Sequence, residues 1–102
     1  MLWAHYAEME IFVGGQYGRT VVYCDPPYAG TTSYKGAPPF DHALFWRTMN
    51  EWHARGAHVF VSEYTAPAGW DIMFEREHRV VLQGASEATR SATERLFTRR
   101  TA

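Results

Sequence analysis

The apolar positions of this chain gather in short runs, and turn-forming residues punctuate them. Val21, Val22 and Tyr23 are β-branched or aromatic and read as the end of a buried strand. Pro26 and Pro27 stop it, because a proline has no N–H to give a sheet. Asp25 precedes a proline and is therefore held extended, just past the sheet edge. Residues 41–55 read as a helix, with Asp41 as N-cap and Phe40 and Phe45 spaced as a hydrophobic staple. Leu44, Phe45, Thr48, Met49 and Trp52 recur at helical spacing and form its expected core face, and Gly56 is placed to end it.

Residues 57–64, AHVFVSEY, carry the continuous run Val59-Phe60-Val61, the pattern of a strand covered on both faces. Strand, helix, strand predicts one right-handed parallel crossover, with Ser62, Glu63 and Tyr64 at the same sheet edge as Asp25. Ala66 to Gly69 break the chain, and residues 70–74 predict a short helical turn. Residues 74–83 and 93–100 read as two antiparallel strands around a small-residue loop, 84–91. The amino-terminal residues say least. Met1 to Tyr6 reads as a frayed helix, Glu10 to Val13 as a short extended piece, and Gly14-Gly15 as a turn. Gly14, Gly15 and Gly18 have the spacing GGxxG, which is not that of a nucleotide loop.

Composition narrows the class. The chain has 102 residues, 46% hydrophobic and 16% aromatic, enough for a single domain, 1–102, with one core. A net charge of −1 carries no global signal for nucleic acid, though Lys35, Arg90, Arg95, Arg99 and Arg100 could form a local basic patch. The single cysteine, Cys24, excludes an internal disulfide or a cysteine zinc cluster, and reads as a small buried apolar residue. His42 and His53 lie eleven positions apart, not at the spacing of a metal pair, so no metal is expected. No apolar run reaches the ~18 residues of a membrane helix and no signal peptide is visible, so the expectation is a cytoplasmic protein.

The candidate chemistry sits at Asp25-Pro26-Pro27-Tyr28, a stiff platform with a carboxylate, carbonyls and a ring at a strand end. Ligands bind outside the carboxyl ends of strands in open α/β sheets. The following loop, 29–39, adds Tyr34 and Lys35, which can lie over whatever binds there, and Ser62 and Glu63 join from the next strand. The bland alternatives are a turn-forming Asp25, a core ring at Tyr28, an ordinary solvated loop, and Glu94 and Arg95 paired across the hairpin.

The order of these features resembles the carboxyl-terminal half of Dam-like, D12-class adenine-specific DNA methyltransferases, of the type found in phages and prophages, over roughly residues 20–100. It rests on the Asp25–Tyr28 tetrapeptide, Gly30-Thr31 and Tyr34, Phe40 before a helix, a strand ending Val59-Phe60-Val61-Ser62-Glu63-Tyr64, Ala66-Pro67, Trp70, and Thr93 to Phe97. The resemblance implies an α/β fold: part of a Rossmann-like methyltransferase, with parallel strands 4 and 5 plus a terminal antiparallel hairpin. It implies transfer of methyl from S-adenosylmethionine to the amine of an adenine flipped out of DNA. Asp25 and Pro26 would accept the amine N–H bonds, Pro27 would stiffen the platform, and Tyr28 would stack on the base. Tyr34, Lys35, Ser62 and Glu63 would bind substrate. The same platform chemistry serves cytosine-N4 and RNA amino groups.

The family's glycine loop for the cofactor, its acidic residue for the ribose, its aspartate for the cofactor's adenine and its target-recognition region have no counterpart here. The chain therefore reads as the carboxyl-terminal part of a catalytic domain. It is either a methyltransferase segment, or an inactive remnant or subunit that needs a second chain or the missing amino-terminal half. Without the family's first three strands, the strand at residues 20–23 would have an open edge. That predicts either self-association there or coverage by residues 1–19, with Ile11 to Val13 as the cover.

Overall fold

The computed structural model describes residues 2–6, 9–16, 19–28, 40–81 and 89–100. Its strands are β1 (Leu2–Tyr6), β2 (Met9–Gln16), β3 (Arg19–Asp25), β4 (His58–Glu63), β5 (Asp71–Val81) and β6 (Thr89–Thr98), and its helix is α1 (His42–Ala54). They build one six-stranded sheet in the order β1-β2-β3-β4-β6-β5.

This corrects the expected α/β, partial Rossmann-like fold. The described chain is predominantly β, with a single helix laid on a mixed sheet. Only β3 and β4 pair in parallel, with α1 between them in sequence; the other pairings are antiparallel. The difference arises mainly at the amino terminus. The residues read as a frayed helix are β1, and the short extended piece is part of the eight-residue β2. Tertiary pairing supplies the stabilisation that a 3.6-residue pattern search cannot see.

β2 runs antiparallel along β3, with Ile11 opposite Cys24, Phe12 opposite Tyr23 and Val13 opposite Val22. The edge expected to be open is therefore covered by the chain's own amino-terminal segment. Gly14 and Gly15 are not the turn; they pair with Val21 and Thr20 inside the ladder. Gly15 is required by close approach, since a Cβ there would collide with the Arg19 carbonyl oxygen.

α1 forms as its sequence dictates. Asp41 caps it, its carboxylate accepting the Leu44 N–H at 2.9 Å, and Phe40 packs on Phe45 with ring centroids 5.7 Å apart. Gly56 takes φ 100° just past its end, a conformation that costs a glycine little. The buried face is Phe45, Trp46 and Met49, while Leu44, expected in the core, is exposed. Trp46 replaces it because Trp70 and Phe97 offer their rings at 5.1 and 6.3 Å. Trp70 does not begin a helical turn as expected but sits buried immediately before β5, its indole N–H donating to Asn50 Oδ1 at 3.2 Å.

The core lies between α1 and one face of the sheet. Val22 and Cys24 of β3, Val59 and Val61 of β4 and Phe97 of β6 are buried there together. Alternate residues along each strand face the other way, so the half-buried Tyr23, Asp25, Phe60, Ser62 and Leu96 share the face opposite α1. β5 forms the edge, where a bulge between Ile72 and Phe74 leaves Ile72, Met73 and Phe74 53, 57 and 63% exposed.

Burial pushes the Cys24 thiol up to about 12. At pH 8 the native chain should resist iodoacetamide on the time scale of global unfolding and label within minutes in denaturant. Rapid labelling of the folded chain would place Cys24 outside the core.

Candidate functional site

Parallel pairing of β3 with β4, in the register Tyr23 to Phe60 and Cys24 to Val61, brings the carboxyl ends of both strands to one edge. Pro26 and Pro27 end β3 there, because neither can donate to the ladder that β2 and β4 continue. Asp25 is the last residue of β3, and Tyr28 extends from it toward β4 and β6. The Tyr28 hydroxyl lies 2.8 Å from Ser62 Oγ and donates to Glu94 Oε1 at 3.1 Å. Its ring meets that of Tyr64 edge to face, with centroids 4.6 Å apart. Glu94 Oε2 accepts from Arg76 Nη2 at 2.9 Å, so the site reaches across β6 to the edge strand β5.

The site's electrostatics are set by burial and by negative neighbours. Burial raises the Asp25 carboxyl above its ordinary value, and the charges of Glu10 and Glu94 raise it further. Glu10 comes from β2, directly opposite Asp25 in the ladder. Burial likewise raises the Tyr23 and Tyr28 phenols, so both are protonated donors at neutral pH. Such a site repels phosphate and favours a neutral or cationic hydrogen-bond donor.

The expected site residues separate on the two faces. Asp25, Tyr28 and Ser62 come together on the face opposite α1, and Pro26, next to Asp25 in the chain, is buried. Glu63 lies on the helix-covered face, 1% exposed. Its Oε1 accepts the Tyr64 N–H at 2.7 Å, and its Oε2 is 3.8 Å from His42 Nδ1. The one-residue step from Ser62 to Glu63 crosses the sheet, since strand side chains alternate. Tyr34 and Lys35 lie outside the described residues. Glu94 pairs across the hairpin with Arg76, as the bland alternative has it, and also reaches the Tyr28 hydroxyl. The only signal for it was the antiparallel register, which sets Leu96 opposite Ser62 and so carries Glu94 one further step along the same face.

Of the residues named for a local basic patch, Arg95, Arg99 and Arg100 have partners within the fold. Arg95 donates to the Tyr64 carbonyl at 2.6 Å and to Glu75 at 3.1 Å, Arg99 donates to Asn50 at 2.6 Å, and Arg100 pairs with Asp71 at 3.2 Å. These arginines hold β5 and β6 against the helix and β4. Among the described residues, no cluster of metal-ligating side chains occurs, and no helix is long and apolar enough to cross a membrane.

Compared with protein-family models, with curated proteins and with solved structures, the chain finds no match.

A raised carboxyl means that folding binds a proton more tightly than the unfolded chain does. Asp25 therefore costs no stability below the ordinary aspartate range near pH ~3.9. The cost grows as pH rises from there to the raised native value, and stays constant above it. Asp25→Asn should be more stable than the wild type at pH 7, with the advantage shrinking toward pH 3. Urea unfolding at both pH values checks this, and an Asn variant less stable at pH 7 than at pH 3, relative to wild type, would contradict it.

Proposed function

We propose that this chain is the acceptor-binding segment of a DNA adenine-N6 methyltransferase. The observation that carries the reading is the Asp25–Tyr28 platform at the carboxyl end of β3, with its ring fixed beside Ser62 on the neighbouring parallel strand. The chemistry follows from what adenine's amine lacks. Its lone pair is delocalised into the base, so it is a weak nucleophile. A carboxylate and a carbonyl that accept its N–H bonds favour a tetrahedral nitrogen and the positive charge that grows there during methylation. Asp25 would supply the carboxylate and Pro26 the carbonyl. Tyr28 would offer a stacking surface, ordinarily worth ~1–3 kcal/mol per base. The raised Asp25 carboxyl adds a condition, since its ionised form is the stronger acceptor for the N–H assigned to it.

The methyl donor implied by the resemblance, S-adenosylmethionine, finds no cradle among the described residues. A glycine loop would have to follow a parallel strand beside β3, and that position is taken by the antiparallel β2. Gly15 faces a neighbouring backbone carbonyl, not open space that a ligand could fill. The segment is therefore read as dependent on a partner that brings the donor, or as a remnant without transfer activity. A partner cannot dock by adding a strand to β3, because β2 and β4 pair with both of its edges.

Calorimetry of the 102-residue chain with S-adenosylmethionine should show no binding; micromolar affinity would make the chain self-sufficient and overturn its dependence on a partner. In a complex with a donor-binding partner, Asp25→Ala should lower turnover on the order of 10²–10³-fold and leave donor affinity nearly unchanged. Undiminished turnover in that variant would remove Asp25 from the mechanism.

A further inference from the structure

The hydrogen bonds at Tyr28 have only one consistent direction. Paired with the Arg76 guanidinium, Glu94 is an acceptor, so the single hydrogen of the Tyr28 hydroxyl goes to Glu94 Oε1. The 2.8 Å contact between Tyr28 and Ser62 must then be filled by the Ser62 hydrogen, donated to the Tyr28 oxygen. The donors therefore run from Ser62 on β4 through Tyr28 to Glu94 on β6, which Arg76 of β5 also holds.

We infer that Ser62 and Glu94 are positioning residues that fix the Tyr28 ring as the stacking surface for the acceptor base. Tyr28 stands beyond the last ladder residue of β3 and follows two prolines, so the sheet's own hydrogen bonds do not orient it. Three contacts do. Tyr64 sets the ring plane from one side, while Ser62 and Glu94 hold its tip. Two hydrogen bonds at its tip and a ring contact at its side restrict the ring before a base arrives. The terminal hairpin thereby belongs to the site, since β6 supplies the acceptor and β5 the cation that holds that acceptor in place. The inference rests on the platform reading for the identity of the base, but the hydrogen-bond chain can be tested without it.

The full chain, labelled with ¹³Cζ-tyrosine and assigned by Tyr28→Phe, gives the first readout. In Glu94→Gln the Tyr28 hydroxyl proton should move upfield and exchange faster, because a neutral amide oxygen is a weaker acceptor than a carboxylate. In Ser62→Ala the Tyr28 ¹³Cζ resonance should shift while that of a remote tyrosine stays fixed. Resonances of Tyr28 unmoved in both variants overturn the chain of bonds. The second readout is binding of a fluorescent single-stranded oligoadenylate. Tyr28→Phe, Ser62→Ala and Glu94→Gln should each weaken it about 3- to 10-fold, less than Tyr28→Ala does. The Ser62→Ala/Glu94→Gln double variant should bind no more weakly than Tyr28→Phe, since all three act through one hydroxyl. If Tyr28→Ala weakens binding and the other three bind as wild type, the positioning role fails and the platform reading stands. If Tyr28→Ala itself binds as wild type, stacking on this ring fails and both readings fall.

Discussion

One helix covers one face of this sheet, and the rest of the structure follows from that asymmetry. Phe45, Trp46 and Met49 of α1 bury Val22, Cys24, Val59, Val61 and Phe97. Burial of a full aliphatic or aromatic side chain is worth roughly 1.5–3 kcal/mol, so this cluster is the principal source of folding energy. It fixes the parallel pairing of β3 and β4 beneath the helix that connects them, and with it the convergence of their carboxyl ends. Because side chains alternate, each strand that gives a buried residue to the helix gives its neighbours to the opposite face. Tyr23, Asp25 and Ser62 meet there as a direct consequence.

The antiparallel strands complete what this unit leaves open. β2 takes the free edge of β3 and places Glu10 opposite Asp25. β6 takes the free edge of β4, and its register carries Glu94 toward the Tyr28 hydroxyl. The same additions that satisfy backbone groups therefore build the acidic, partly desolvated surroundings that raise the Asp25 carboxyl. A proline pair at the strand end adds stiffness without adding donors, which leaves the side chains to orient Tyr28.

The arginines show where electrostatics serve the fold and not a ligand. Asn50 Oδ1 accepts from both Trp70 and Arg99, tying α1 to the start of β5 and the end of β6. Arg95 bridges the Tyr64 carbonyl and Glu75 across the terminal hairpin. Arg76 also holds a side chain of the candidate site, Glu94. A chain of net charge −1 thus spends its described basic side chains largely on its own architecture.

Several local features were determined by the residues themselves. Asp41, Phe40, Phe45 and Gly56 specify the ends of α1 through capping, stapling and a positive φ, all decided within a few residues. Pro26 and Pro27 specify the end of β3, and the apolar run at Val59 to Val61 specifies β4. These fix the platform and Ser62 as neighbours once the two strands pair. Tertiary structure alone decided the rest. Residues 2–6 and 9–16 have too little local preference to declare themselves strands; β2 forms by pairing with β3 and β1 by pairing with β2, which turned an expected α/β sheet into a mostly antiparallel one. The places of Glu63 and Glu94 have the same cause. Strand alternation buries the first under α1, and the register of β6, set by long-range pairing, delivers the second to Tyr28. Register is a property of two strands together, and no stretch of sequence read alone contains it.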